Sequence, residues 1–256
     1  MTEVLHSPDR WVRARIFLRH GSRILFRRWP GYTFSDLAAC QDSADGPAFQ
    51  KLAREMEASE DGRRIMVEQP EISLSAVDWQ WLSTLPIDTL GYNFWHHFYA
   101  NGILEDVDLG QKYIEYDPET EYAKKRYRET HDARHVLCGL GVEGFEEIVL
   151  QTFQYAQLPQ VLSAGIVIFG GLKHMLIDWK WREVLLGVPR AWRAGKQAQS
   201  LINVYLEERW EQPLDSVRQQ YGVIPIRGRY PVAERHPDAP WTPPEGWVAP
   251  TRRKRE

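Results

Sequence analysis

The chain has 256 residues and 29.9 kDa, enough for one large domain with a substantial core or two small ones. A formal net charge of -3 and a pI near 6.3 exclude any global pull toward nucleic acid, so no nucleic-acid partner is expected. Two distant cysteines, Cys40 and Cys138, exclude a disulfide scaffold and a thiolate zinc site, and suggest a reducing compartment.

The amino-terminal stretch WVRARIFLRHGSRILFRRW sets six arginines among Trp11, Ile16, Phe17, Leu18, Ile24, Leu25 and Phe26, with no acid. Such a segment suits a helix lying on an anionic bilayer, an organelle transit peptide, or a solvated helix of the domain. Ser7-Pro8-Asp9 and Asp117-Pro118-Glu119 carry helix-start signals, and Gly102 and Gly222 stand where C-terminal glycines belong. Apolar spacing agrees at Phe49, Leu52, Ala53 and Met56, at Leu90, Phe94 and Phe98, and at Leu214, Val217 and Tyr221. These signals predict an all-α fold, a single multi-helix domain, with helices at 8–28, 47–58, 75–84, 89–100, 118–138, 143–157, 159–176, 189–211 and 213–221. No run reaches the roughly 18 apolar residues of a membrane span. The nearest, residues 158–176, is interrupted by Gln160, Lys173 and His174 and reads as a buried helix or an apolar wall. Residues 225–256 hold seven prolines and a basic end, and are expected to form an extended tail.

The chemistry concentrates in RYRETHDARHVLCGLGVEGFEEIVL, residues 126–150. On a helix His131 and His135 share one face a turn apart, which lets two imidazoles hold one cation. Asp132 stands about 100° round from His131, as a ligand at the edge of the site or as an orienting group. Gly139 and Gly141 then break the helix, so the next one can fold back and bring Glu147 opposite. Glu146 would point about 100° away from Glu147. Two imidazoles with one or two carboxylates and no thiolate suit zinc, iron, manganese or cobalt and leave coordination positions open. The competing reading is a polar helix with buried histidines. Phosphohydrolases of the HD type also use adjacent His and Asp, but need a further upstream His and a distal Asp, roles that His96-His97 and Asp178 fill only by force. Secreted phospholipases A2 depend on many disulfides, which two cysteines rule out.

The segment HDARHVLCGLGVEGFEEIVL resembles the HDxxH-x11-E signature of the coenzyme Q biosynthesis protein 4 family. Further likeness lies in LPIDTLGYNFWHHFYANG (85–102), AKKRYRETHD leading into the motif, QTFQYAQLPQ after it, and residues 191–223. The resemblance thus covers about residues 85–224, beside an amino-terminal region 1–84 that would associate with membrane and the tail 225–256. Members usually carry glycine immediately before the glutamate, whereas here Glu146 precedes Glu147 and Gly144 lies two places earlier.

The resemblance implies a helical, metal-binding, membrane-peripheral protein of ubiquinone biosynthesis, with His131, Asp132, His135 and Glu147 as metal ligands and catalytic residues and zinc as the divalent metal. It implies replacement of the ring C1 carboxylate of a polyprenylated hydroxybenzoate by hydroxyl, and organisation of the other quinone-biosynthesis enzymes. Expected partners are therefore a polyprenylated aromatic lipid, the membrane surface, those enzymes and further copies of the chain. The expected location is the cytoplasmic, inner face of a membrane or, alternatively, the matrix side of the mitochondrial inner membrane. The prenyl chain needs a long apolar groove, for which Leu158 to Phe169, including Ile166 and Phe169, and the face of Leu90, Phe94 and Phe98 are candidates. Arg126, Arg128 and Arg134 flank the motif and suit carboxylate or phosphate recognition. Alternative readings are a non-catalytic lipid-binding scaffold with a structural metal, and an HD-like hydrolase.

Overall fold

The carboxylate of Asp9 accepts from the amides of Trp11 and Val12, at 2.8 and 3.0 Å, and so starts the first helix. In this computed structural model the described residues are 5–6, 9–26, 34–101, 103 and 113–226. The helices in chain order begin with α1 (Arg10–Phe26), α2 (Phe34–Ala44), α3 (Gly46–Ala58), α4 (Glu60–Glu68), α5 (Trp79–Thr84) and α6 (Leu90–Asn101). They continue with α7 (Pro118–Glu129), α8 (His131–Cys138), α9 (Gly144–Gln157), α10 (Val161–Gly165), α11 (Gly171–Leu176), α12 (Trp181–Gln197) and α13 (Leu214–Gln220). A π-helical stretch, Ile166–Gly170, joins α10 to α11. The fold is all-α. Its extended pairing within an element is a two-residue parallel ladder of β1 (Leu5–His6) and β2 (Ile114–Glu115). Arg27, Arg28, Gly102 and the tail from residue 227 lie outside the described residues.

Several boundaries differ from the sequence reading for physical reasons. The helix expected over 118–138 breaks at Thr130, whose hydroxyl bonds back to the Arg126 carbonyl at 2.8 Å, a contact that bends helices. The helix expected over 189–211 begins eight residues earlier and tolerates Pro189 inside it. It stops at Gln197, and short 3-10 turns follow at Leu201–Asn203 and Leu206–Glu208. Buried Arg126 grips the Val204 carbonyl and Glu207 there, so tertiary contacts override the helical spacing. α2 and α4 have no counterpart in that reading.

Two apolar clusters form the interior. α3, α4 and α7 enclose Phe49, Met56, Ile65 and Tyr127. α5, α6, α8, α9, α12 and α13 enclose Leu82, Phe94, Leu137, Phe153 and Val217. α8 is held between α6 and α9, and that sandwich positions the motif. Leu158, Leu90 and Phe94 are fully buried members of these clusters, so they are core and line no open groove.

Candidate metal centre

α8 ends in a glycine turn that fixes its second histidine. Gly139 adopts the left-handed conformation (φ 67°), the Leu140 amide bonds to the His135 carbonyl at 2.9 Å, and the Gly139 amide bonds to the Val136 carbonyl at 3.2 Å. α9 then starts at a capping box in which Glu146 reaches back to the Glu143 amide at 3.3 Å. Glu146 is thereby spent on the helix start, and the next carboxylate, Glu147, faces α8.

The Nε2 atoms of His131 and His135 are 3.2 Å apart. Glu147 Oε2 lies 3.2 Å from His135 Nε2 and 3.4 Å from His131 Nε2. Tetrahedral ligands at zinc-type bond lengths of about 2.0–2.1 Å stand about 3.3 Å from one another. The three atoms therefore outline one face of such a tetrahedron. Asp132 forms a second, looser grouping with the same histidines: its carboxylate and the two imidazoles offer ligand atoms all within 4.8 Å of one another, a set that does not include Glu147. His131, Asp132 and His135 could together hold a metal ion. The His135 side chain is 2% exposed, but those of His131, Asp132 and Glu147 are 28, 19 and 34% exposed, so the site opens outward on one side.

Charge and burial couple the group. Burial opposes charge on Glu147, yet the two histidines hold its carboxyl well below the ordinary glutamate range. Burial likewise disfavours the His131 imidazolium, but Glu147 outweighs it and raises that pKa. For His135 burial prevails, with His131 adding to it, and the pKa falls. Asp132 is lowered against its burial by His97 and the neighbouring histidines. The carboxylates are thus anionic at neutral pH and one imidazole is neutral, a donor set that suits a cation.

Three further groups surround the ligand candidates, two glutamines that the sequence reading passed over and a histidine it named only as a forced fit to an HD-type site. Gln151 donates to Glu147 Oε1 at 2.7 Å, and the Gln154 amide lies 3.0 Å from His131 Nδ1. The Gln154 oxygen accepts from the Tyr127 hydroxyl at 2.9 Å while its nitrogen faces His131 Nδ1, so one amide ties the His131 ring to α7 and α9. Both glutamines follow Glu147 at the i+4 and i+7 positions of α9, a signal the sequence does carry. The third is His97 of α6, fully buried, with Nε2 3.4 Å from Asp132 Oδ1 and its ring stacked on His135 at 5.3 Å between centroids. No local spacing announces it.

The flanking arginines are occupied. Arg126 is fully buried and holds Glu207 with two bonds, at 2.5 and 2.9 Å, an internal pairing. Arg128 bonds to Gln41 at 2.6 Å and lies 3.5 Å from Asp42, again an internal pairing. Buried Arg134 sits over the Tyr127 ring and donates to the Tyr127 carbonyl, tying α8 to α7. Ile166 is half-buried and Phe169 exposed on the π-helical stretch. Asp178, the distal acid an HD-type site would need, is instead paired with His174 at 2.6 Å. Cys40 and Cys138 are free and buried, and burial pushes both thiols up to about 12, so neither is a ready thiolate.

The family model of coenzyme Q (ubiquinone) biosynthesis protein Coq4 matches residues 14–227. The chain belongs to the Coq4 family. That match extends well upstream of the stretch 85–224 in which the likeness is legible by eye. A Coprinopsis cinerea protein named "Ubiquinone biosynthesis protein COQ4, mitochondrial" is 32% identical over 73% of this chain and 64% of its own length. The chain thus spans somewhat under two thirds of that relative. The Xenopus tropicalis COQ4 homolog, also named mitochondrial, is 29% identical over 86% of this chain and 77% of its own. In fold, the Coq4-family chain is similar to the crystal structure of a putative ubiquinone biosynthesis protein from Nostoc punctiforme. The TM-score is 0.63 at 20% identity, covering 82% of this chain and 96% of that one.

Proposed function

We propose that this Coq4-family protein is a metal-dependent enzyme of ubiquinone biosynthesis that replaces the C1 carboxylate of a polyprenylated hydroxybenzoate with hydroxyl. The observation that carries the reading is the triangle of His131, His135 and Glu147 at 3.2, 3.2 and 3.4 Å, open on one side, with the Asp132 carboxylate near the same two histidines. These four residues would hold a divalent metal, zinc by family likeness, with iron, manganese or cobalt equally suited to the donors. When bound, such an ion supplies Lewis-acid polarisation of the ring carboxylate and phenolate as carbon dioxide leaves. The chain's own residues orient the ligands. Gln154 fixes the His131 ring, Gln151 holds Glu147, and His97 positions Asp132 and buttresses His135. The reaction also needs an oxygen atom and a two-electron oxidant from outside the chain, since none of these side chains donates either.

Ile166 and Phe169, on the stretch packed over α9, remain our candidates for contact with the prenyl chain. Arg134 stays beside the ligands as a fixed buried cation. No helix among the described residues is long and apolar enough to cross a membrane, which fits peripheral attachment. The mitochondrial names of the relatives fit the matrix face of the inner membrane, and a cytoplasmic membrane face would serve the same chemistry. The rival reading is a scaffold that organises other quinone-pathway enzymes around a structural metal; it would bind the ion equally well. Turnover separates them: metal-loaded protein is assayed with a prenylated 4-hydroxybenzoate derivative, with and without dioxygen. Product above the metal-free control supports the enzyme, and stoichiometric metal without product supports the scaffold.

A further inference from the structure

The segment from Val161 to Gln197 turns an apolar side outward. Ile168, Leu172 and Leu176 recur every four residues along it and are 62, 48 and 65% exposed. α12 packs beside α11 and buries Val184, Ala191 and Ala194, while the flank about 100° round from them leaves Leu185 and Trp192 56 and 42% exposed. Between these helices Trp179 stands in the left-handed conformation at φ 54°, a strained choice for a bulky residue, with 78% of its surface exposed. Strain that holds an indole in solvent is a cost without return unless something receives the indole.

The charge around this patch indicates what does. Residues 161–197 carry six lysines and arginines against two acids, in a chain whose net charge is -3. A face between two protein copies loses charged residues at its centre. Here Lys173, Lys180 and Arg182 are interleaved with the exposed apolar side chains. Tryptophan at the headgroup level, with long cations whose stems lie along the apolar surface, is the pattern of a bilayer interface. We propose that this face docks on an anionic lipid bilayer, with Trp179 and the Leu172–Leu176 stripe inserted among headgroups. α1, the segment whose sequence most suggests a membrane, is less available: Arg13 bonds to the Tyr116 hydroxyl at 2.9 Å and Arg23 lies 3.2 Å from Asp36. The docking face also sits directly over the ligand helix. A side chain begun at Gly171 would stand in ordinary contact with the Cγ2 of Ile148 on α9, at 3.6 Å, and Ser163 joins Gln151, the partner of Glu147, at 2.7 Å. A lipid drawn from the bilayer would therefore enter beside the metal centre, a consequence that rests on the function proposed above. The docking itself does not.

The test uses the full chain with phosphatidylcholine vesicles, with and without phosphatidylglycerol. Binding should require the anionic lipid, weaken with salt, and fall about tenfold or more in the Leu172→Ser/Trp179→Ser double variant, the factor that follows from withdrawing one large apolar side chain. Trp11→Ser/Leu18→Ser on α1 should bind like wild type. Hydrogen exchange of the wild-type chain should show residues 161–192 gaining protection on vesicle addition, a readout that needs no variant. Equal binding to neutral vesicles overturns the proposal, as does loss confined to the α1 variant, or an unprotected segment. So does a double variant that changes only the molecular mass in light scattering, which would mark a face between copies. Vesicle binding in wild type without turnover would defeat the enzyme reading and leave this face standing.

Discussion

Among single residues, two adjacent glutamates stand in different surroundings. Glu147 closes the triangle with the histidines, whereas Glu146 caps α9. His135→Ala and Glu147→Ala should therefore abolish stoichiometric metal binding, measured by inductively coupled plasma mass spectrometry, with helix content retained. Glu146→Ala should keep the metal and lose about 1 kcal/mol of stability, the usual worth of a cap. Unchanged metal in both of the first two variants would remove the site. His97 makes a finer case, because it would act only through Asp132 and His135. Partners that orient ligands are typically worth about 10–100-fold in metal affinity. His97→Leu should weaken cobalt binding by that factor and alter the cobalt absorption spectrum. His97→Asn, which retains an amide donor, should restore most of both. A variant that melts earlier but titrates cobalt normally would make His97 a packing residue only. The convergence of His131, His135 and Glu147 was legible from their spacing across α8, the glycine break and α9. The place of His97 beside Asp132 and His135 was not, because it reaches them through tertiary packing of α6 on α8.

Between elements, Asp45 joins the start of α3 to α10. Its carboxylate accepts from the amides of Val161 and Leu162, at 2.6 and 3.4 Å, yet burial pushes its pKa up to about 7 against those bonds. Glu129 at the end of α7 is raised to about 7 as well, burial outweighing Lys125 and the Ile72 amide. Both unfolded values are near 4. The folded chain therefore binds these protons more tightly, so their contribution to stability is complete below about pH 4 and is lost as pH rises through about 7. Thermal melts between pH 5 and 8 should show this decline, and Asp45→Asn should flatten it. An equally steep profile in the variant would contradict the assignment. The stretch between α10 and α11 carries a second prediction at this scale. If Ile166 touches the prenyl chain, Ile166→Gln should reduce turnover of long-chain substrate far more than of a short-chain analogue, in protein with normal metal content. Equal loss on both would make Ile166 core. The element reading succeeded where caps were local, as at Asp117, whose carboxylate accepts from Thr120 at 2.8 Å, and at Gly222 with φ 65°. It failed where a distant contact decides, as at Arg126 gripping Glu207 and ending the long helix expected through residue 211.

At the scale of the whole molecule, helical periodicity and the absence of hairpin signals were enough to give an all-α fold, and four ordered stretches of likeness were enough to give the Coq4 family. The exposed apolar side of α10 to α12 was hidden in the sequence. Residues 158–176 read as an interior wall, and only the packing of α9 against one side of them shows that the other side faces out. The described residues bring the His131, His135 and Glu147 triangle together on a helix pair, α8 and α9, with an apolar, basic surface packed against α9, an arrangement that agrees with the proposed chemistry on a lipid-borne ring. The most direct measurement of that chemistry follows the carboxyl carbon. Metal-loaded full chain is given a prenylated 4-hydroxybenzoate derivative carrying 13C in its carboxylate, and labelled carbon dioxide is measured together with the hydroxylated ring. The account predicts that the two appear in equal amounts, only with metal present, and vanish in His135→Ala. Stoichiometric metal in wild type with no labelled carbon dioxide released, under aerobic as well as anaerobic conditions, would contradict it.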